Sequence, residues 1–379
     1  MRLHRLAYAT IALILAAPSG AHAEHIVAAG FVASLDTGSL NGTVFPVSFS
    51  YDADQITAQG DSYITLKTFD FTLGGVAFNR SYINQGGQVI FRNGVLQNVT
   101  ASFQGTLPPN ATVNNVTFGF GGDGIVGYVD RQGAYGLGSF QLVNAAGVLN
   151  AASFALNQAV SPGSLVSLFG SGFPFIRPAS EAAPLPTAVG NFAVTIGGIA
   201  APLLYVSATQ INLQIPWAVP IGISRAAVTW NGMPLASFDI SVDRFSPGIF
   251  TLQSGSGQAI ALNQDGSFAA PPGSIPGVAS RPAKPGDTLK ILATGLGSVS
   301  PAIADGRLPS APRTTNTKPE VWIGGIPAQV IFSGLSPEYA GVNQIDVVAP
   351  AIPTGIVPLQ IETGGIRSAE KVTISVAAQ

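Results

Sequence analysis

The sequence predicts an all-β protein built from β-sandwiches. Apolar residues alternate with small polar ones in short runs, as at 44–50, 63–73 and 112–120, and helical periodicity is almost absent. Turn pairs such as Asn41-Gly42 and Asn231-Gly232 separate these runs at intervals of about 8–12 residues. Short strands joined by frequent Gly-containing turns are typical of sandwiches and barrels.

An internal repeat predicts that two of the β-domains are copies of one another. Three blocks recur in the same order in the second half of the chain, which is the signature of tandem structural repeats. The sequence therefore predicts an N-terminal β-sandwich over 24–145 and two further domains over 148–246 and 247–379, with the first junction at 142–150. The matching blocks are 162–172 with 285–295, 194–199 with 321–326, and 210–216 with 344–350.

The repeated blocks share a pattern that also points to a known family. It reads Pro-Gly-x-x-x-x-(Leu/Ile)-x-x-x-Gly, then a Gly-Gly hairpin, then Gln-Ile-x-(Leu/Val)-x-x-Pro. With this pattern, residues 148–379 resemble immunoglobulin-like domains of the IPT/TIG type, and more narrowly an uncharacterised C-terminal domain family of exported acidobacterial proteins. The resemblance implies export, two tandem immunoglobulin-like β-sandwiches and a surface or adhesive role, and it supplies no catalytic residues. Further stretches that carry it are 149–154, 200–207, 246–251, 261–267 and 293–301.

The first 23 residues have the pattern of a secretory signal peptide. Arg2 and Arg5 form a short basic region, residues 6–17 are mostly apolar, and Ala21-His22-Ala23 is a small-x-small cleavage site. We therefore expect a protein that is secreted, periplasmic or held at the cell surface after cleavage near Ala23. Later apolar runs are broken by Gly and Pro, so no membrane span is predicted.

Composition excludes several classes of function. Charged residues make up 9% of the 379 residues, whereas about 25% is usual, so electrostatic attraction of nucleic acid is not expected. The chain has no Cys, and cleavage would leave His25 as its only His. Ser-His-Asp triads, Cys-His dyads and zinc sites built on His or Cys are therefore excluded.

Two nearby aspartates are the candidate metal ligands. Asp52 and Asp54 would face the same side of a strand, and with Asp61, Asp123 or Asp130 they would supply oxygen ligands for calcium. Two alternatives stay open. The pair marks a solvated strand end, or it is a carboxylate pair of the kind that glycosidases use.

Aromatic residues are the candidate binding residues. Trp322 lies between the apolar residues Val321 and Ile323, so strand alternation predicts that its ring points outward and can stack on a sugar or pack against another domain. Trp217 follows Pro216 in a predicted loop, and Tyr339 lies in an insertion that the first repeat lacks. Trp230, beside the Asn231-Gly232 turn, is assigned to the edge of a core.

Taken together, the sequence predicts an exported, non-catalytic binding or adhesion protein with no required cofactor, calcium aside. Its partner would be a polysaccharide, a cell-surface component or a surface protein, recognised through shape and aromatic contacts. A structural spacer of the cell surface and a carboxylate-dependent carbohydrate-active enzyme are the alternatives.

Overall fold

The computed structural model describes residues 24–119, 124–155, 158–173 and 179–378. The predicted signal peptide, 1–23, and Asp123 lie outside these ranges. Within them the regular structure is β-strand apart from two short 3-10 helices, so the predicted all-β fold class is confirmed. No helix of the described part is long and apolar enough to span a bilayer.

The first part of the chain folds into one continuous sheet that curls over its own core. Hydrogen-bonded neighbours follow the order β5-β4-β2-β1-β10-β9-β8-β7-β6-β3. The strands are β1 (Ile26–Leu35), β2 (Val44–Asp52), β3 (Asp61–Thr65), β4 (Thr68–Leu73), β5 (Val76–Phe78), β6 (Ile83–Arg92), β7 (Val95–Gln104), β8 (Val113–Gly119), β9 (Ile125–Asp130) and β10 (Tyr135–Asn150), with 3-10 helices at Ala53–Gln55 and Arg80–Tyr82.

Phenylalanine rings fill the space between the two halves of this sheet. Phe69 on β4 lies 5.5 Å from Phe103 on β7, and Phe71 lies 5.3 Å from Phe118, between ring centroids. All four side chains are at most 1% exposed. Strands that are far apart in the hydrogen-bonded order thus meet across one aromatic core, as in a sandwich whose sheets are joined along one side.

The first repeat forms two sheets that face each other. One sheet has the order β10-β11-β17-β16-β12, and the other joins β13, β14, β18 and β19 in sequence, with β15 beside β14. Their buried side chains form one cluster from Val143 to Val242. The new strands are β11 (Leu165–Ser171), β12 (Ala179–Ser180), β13 (Ala188–Val189), β14 (Phe192–Ile196), β15 (Ile199–Ala200), β16 (Leu203–Val206), β17 (Gln210–Gln214), β18 (Gly222–Trp230) and β19 (Met233–Val242).

The second repeat has its own core, from Ile249 to Val376. Its sheets are β24-β23-β22-β25-β30-β29 and β28-β31-β33-β21, and β29 also pairs with β28. The strands are β20 (Gly248–Ile249), β21 (Gly257–Gln258), β22 (Ala261–Asn263), β23 (Phe268–Ala269), β24 (Ser280–Arg281), β25 (Thr288–Thr294), β26 (Val299–Ser300), β27 (Thr314–Thr315), β28 (Glu320–Ile323), β29 (Ile326–Leu335), β30 (Asn343–Val348), β31 (Gly355–Thr363), β32 (Ile366–Arg367) and β33 (Val372–Val376).

The two repeats pair equivalent strands in the same register. Leu168 on β11 lies opposite Ile211 on β17, and the residues at the matching block positions, Ile291 and Ile345, lie opposite each other on β25 and β30. Each repeat also turns a hairpin on a Gly-Gly pair with positive φ, 58° and 79° at Gly197-Gly198 and 60° and 80° at 324–325. Glycine adopts this left-handed backbone without the steric cost that a side chain would bring.

Strand β10 joins the first sandwich to the first repeat without a linker. Its first half pairs with β1 and β9, and from residue 144 it pairs with β11. The predicted junction at 142–150 is therefore the interior of one strand. Beside it, β19 touches β1, where Ala236 pairs with Ala29 and the Ser237 hydroxyl donates to the Ala28 carbonyl at 3.1 Å.

Candidate functional site

The predicted calcium ligands Asp52 and Asp54 have separate local roles. Asp52 ends β2 and caps the following 3-10 helix, accepting hydrogen bonds from the Asp54 backbone N–H at 3.2 Å and Gln55 Nε2 at 3.1 Å. The Gln55 contact, followed by the backbone contact, holds the pKa of Asp52 below its usual value. Asp54 lies in the helix, its carboxylate 3.9 Å from His25 Nδ1, so the two aspartates do not share a strand face.

The other candidate acids are also engaged elsewhere. Asp61 pairs with Arg92 Nε at 2.9 Å, and Asp130 accepts the Ser39 hydroxyl at 2.6 Å and the Ala134 backbone N–H at 2.8 Å. Among the described residues, no three His, Cys, Asp or Glu side chains come close enough together to hold a metal ion. The expected calcium site is therefore not assembled in the part of the chain that the structure covers.

Trp322 points outward, as the alternation of β28 predicts, but its ring is partly covered. Its neighbours Val321 and Ile323 are buried, while the Arg367 guanidinium lies 5.1 Å from the indole centroid. Arg367 is held there by Glu362, whose carboxylate is 2.7 Å from the guanidinium. A cation at this distance is attracted to the ring, so Arg367 covers one face of the indole.

The remaining predicted aromatics lie in different places. Trp217 packs so closely against Gly163 that a Cβ on the glycine would lie 2.0 Å from the indole. The Trp217 backbone N–H donates to Asp305, in the second repeat, at 2.8 Å. Trp217 therefore lies at the contact between the repeats. Tyr339 is 53% exposed in the loop before β30. Trp230 packs against the core of the first repeat. Trp217 and the loop that carries Tyr339 both lie at the contact between the repeats, where Gly341 packs against Leu165, whereas Trp322 lies on β28 beneath Arg367.

An open groove on the second repeat is a candidate ligand site. It has a volume of about 360 Å³ and lies beside β29 and β30, where the loop before β27 and the loop after β29 approach the sheet. Its lining is mostly apolar with a few polar groups, which is the usual make-up of a small-molecule site. The lining residues are Pro309, Ser310, Ala311, Pro312, Phe332, Leu335, Pro337, Gln344 and Asp346.

Strand geometry places three of these side chains together. Along β30, Ile345 and Val347 are buried, so the alternating residues Gln344 and Asp346 face outward. On β29 a bulge after Val330 shifts the register by one residue and sets Phe332 opposite Asp346. Bulges re-aim side chains in this way, and without it the phenyl ring would not share a row with the carboxylate.

The polar pair in the groove is fixed by its own hydrogen bonds. Gln344 Nε2 donates to both carboxylate oxygens of Asp346, at 2.9 and 3.0 Å. Lys290 on β25 is the cross-strand neighbour of Asp346 on the other side, and its ammonium lies 3.9 Å from Glu338. The groove thus presents an oriented carboxylate and amide beside an aromatic ring, and these groups can donate to and accept from hydroxyl groups.

Sequence reasoning missed Phe332, Gln344 and Asp346 as site residues. Gln344 belongs to the Gln-Ile block that identified the repeat, and an outward Gln-x-Asp pair on a predicted strand was the signal that could have singled it out. Phe332 carried no such signal, because simple alternation from the buried Val330 would place residue 332 on the inner face.

No family model and no curated protein matches the chain. Among solved structures it is similar to the SGBP-B protein of a Bacteroides ovatus mixed-linkage glucan utilization locus, solved in complex with a mixed-linkage heptasaccharide, at 14% identity and a TM-score of 0.29, over 85% of this chain and 64% of that one. The chain thus spans less than two thirds of that protein. It is also similar to the Escherichia coli adhesin FdeC, at 12% identity and a TM-score of 0.19 over 93% and 97% of the two chains. A tandem of titin immunoglobulin domains is similar at 10% identity and a TM-score of 0.17, over 62% and 98%. At these TM-scores the similarities carry no argument about function.

Proposed function

We propose that this chain is an exported, non-catalytic binding protein whose groove beside β29 and β30 binds a neutral saccharide unit of a polysaccharide. The observation that carries the proposal is the Gln344–Asp346 pair, locked by two hydrogen bonds and set opposite Phe332. A pyranose ring presents hydroxyl groups at its edge and C–H groups on its face. The polar pair of the site can form hydrogen bonds with the hydroxyl groups, and the phenyl ring can pack against the C–H groups.

The charge of the chain supports a neutral ligand. The groove contains one carboxylate, Asp346, and the chain as a whole has few charged residues, so attraction of an ionic ligand over long distances would be weak. Orientation by fixed polar groups and contact with apolar walls would then supply most of the affinity. Export follows from the leader pattern at 1–23 and belongs to the same proposal.

The lining of the groove also favours binding over hydrolysis. Glycosidases of the usual kind need two carboxyl groups about 5–10 Å apart across the scissile bond. Among the residues that line this groove, only Asp346 carries a carboxyl group. Glu338, the residue after the lining residue Pro337, is paired with the Lys290 ammonium at 3.9 Å and is not part of the lining.

Calorimetric titration with neutral tetrasaccharides tests the proposal. Cellotetraose, xylotetraose and mannotetraose are titrated at millimolar concentration into the wild-type protein and into Phe332→Ala and Asp346→Ala. We expect at least one of the sugars to bind, and each variant to bind it roughly tenfold or more weakly, because each removes one of the two kinds of contact.

Trp322→Ala is the matched control, since it removes an outward aromatic residue of the same repeat that does not line the groove. Binding that is lost in Trp322→Ala but kept in Phe332→Ala would place the ligand at the residue first predicted from the sequence. That result, or no binding of any of the three sugars, would overturn the proposal.

A further inference from the structure

The first repeat carries the same arrangement of side chains as the groove of the second. On β17, Gln210 and Asn212 occupy the block positions of Gln344 and Asp346 on β30, and both strands pair with their neighbours in the same register. Leu213 and Ile211 are buried, so Gln210 and Asn212 face outward. Both polar side chains are partly exposed.

The polar contact itself is repeated. Gln210 Nε2 donates to Asn212 Oδ1 at 2.8 Å, as Gln344 Nε2 donates to Asp346 at 2.9 Å. In each repeat one planar polar group therefore orients the next along the strand. The difference is charge, because the first repeat has an amide where the second has a carboxylate.

The aromatic neighbour is placed by the same irregularity. A bulge after Leu203 on β16 sets Tyr205 opposite Asn212, just as the bulge after Val330 sets Phe332 opposite Asp346. A bulge interrupts the ladder, and its recurrence at matching positions keeps an aromatic ring beside the polar pair in both repeats. Tyr205 is partly exposed.

A second aromatic residue adds to the apolar surface of the first repeat. Phe169 on β11 lies opposite Gln210, and its ring centroid is 6.2 Å from that of Phe154. The face thus has aromatic side chains on two sides of an amide pair.

We propose that Tyr205, Phe169, Gln210 and Asn212 form a second saccharide-binding face, so that one chain binds a polysaccharide at two sites. This inference rests on the proposed function of the groove, since it assigns the same ligand class to the equivalent position. The Leu165 backbone N–H donates to Thr294 Oγ1 at 2.9 Å, one of several bonds that fix the two repeats to each other. Two sites on one chain would raise the avidity for a long polymer above the affinity of either site alone, provided that both sites engage the same polymer at once.

Titration of cellotetraose, xylotetraose and mannotetraose into five proteins tests the second face. We expect two sites per chain for the wild type, with the first-repeat site roughly tenfold or more weaker in Tyr205→Ala, the groove site weakened to the same extent in Phe332→Ala, and both sites weakened in the double variant. Gln210→Ala is expected to weaken the first-repeat site roughly tenfold. Because it replaces a partly exposed polar residue, it tests the same site if Tyr205→Ala fails to fold.

The outcomes separate the two proposals. A single site that disappears in Phe332→Ala, and is unchanged in Tyr205→Ala and Gln210→Ala, overturns the second face and leaves the groove as the binding site. A single site that disappears in Tyr205→Ala and is unchanged in Phe332→Ala overturns the groove and supports the face on the first repeat. No binding to the wild type overturns both.

Discussion

The backbone N–H of Leu165, at the start of β11, donates a 2.9 Å hydrogen bond to the side-chain hydroxyl of Thr294, at the end of β25. The hydroxyl in turn donates to the Gly341 carbonyl at 3.0 Å, and Thr294 is fully buried. One hydroxyl thus satisfies two buried backbone groups, one from each repeat.

Replacement of Thr294 by Val is expected to destabilise the protein. The change keeps the shape of the side chain but leaves the Leu165 N–H and the Gly341 carbonyl buried without a partner, at about 1–3 kcal/mol for each group. Urea denaturation followed by tryptophan fluorescence measures the loss. Thr363→Val is the matched control, because the Thr363 hydroxyl is buried without a hydrogen-bond partner and its removal should cost little. Equal stability of the two variants would contradict the role assigned to Thr294.

Replacement of Gly30 by Ala is expected to disturb the contact between the N-terminal sandwich and the first repeat. A Cβ at this position would lie 2.6 Å from the Val47 carbonyl oxygen and 2.8 Å from Leu235 Cα, and both are backbone atoms that cannot rotate away. Overpacking of this kind costs about 1–3 kcal/mol. Gly119→Ala is the control, since a Cβ there meets no atom of the described residues within 4 Å and no positive φ strains it. A Gly30→Ala protein with the melting temperature of Gly119→Ala would show that β1 and β19 are not in close contact.

Stability is expected to fall at alkaline pH through Tyr51. Burial raises the pKa of the Tyr51 phenol to about 12, against a smaller opposing effect of Arg225. The folded chain therefore holds this proton more tightly than the unfolded chain does. Tyr51 does not lower the free energy of unfolding below about pH 10. Between about pH 10 and 12 it lowers the free energy of unfolding by about 2–3 kcal/mol, because the unfolded chain loses the proton first.

Tyr51→Phe isolates this contribution, because it removes the ionisable group and keeps the ring beside Phe91, whose centroid is 5.2 Å away. Urea denaturation between about pH 9 and 12 should show a shallower loss for Tyr51→Phe than for the wild type. The exposed Tyr63 provides the control, and Tyr63→Phe should follow the wild type. Parallel curves for Tyr51→Phe and the wild type would exclude the assignment.

The features that sequence patterns predicted are those set by local backbone chemistry. The predicted turn at Asn231-Gly232 forms with φ values of 50° and 77°, because these residues tolerate the left-handed conformation that a tight hairpin needs. The outward direction of Trp322 followed from the burial of its neighbours. These properties depend on residues that are adjacent in the chain.

What the sequence did not reveal depends on residues far apart in the chain or on irregular strands. Arg367 covers Trp322 only because β31 and β32 bring it there, and no local pattern records that approach. Phe332 reaches Asp346 through a bulge, which reverses the side that alternation would assign. Asp54 left the strand on which it was expected because Asp52 caps a 3-10 helix instead.

Because β10 serves two sheets, the N-terminal sandwich and the first repeat are joined by paired backbone on both sides of residue 144 and not by a loop. A fragment that began after residue 150 would leave β11 without this partner, and the unpaired N–H and C=O groups of the open edge would be free to join strands of other molecules.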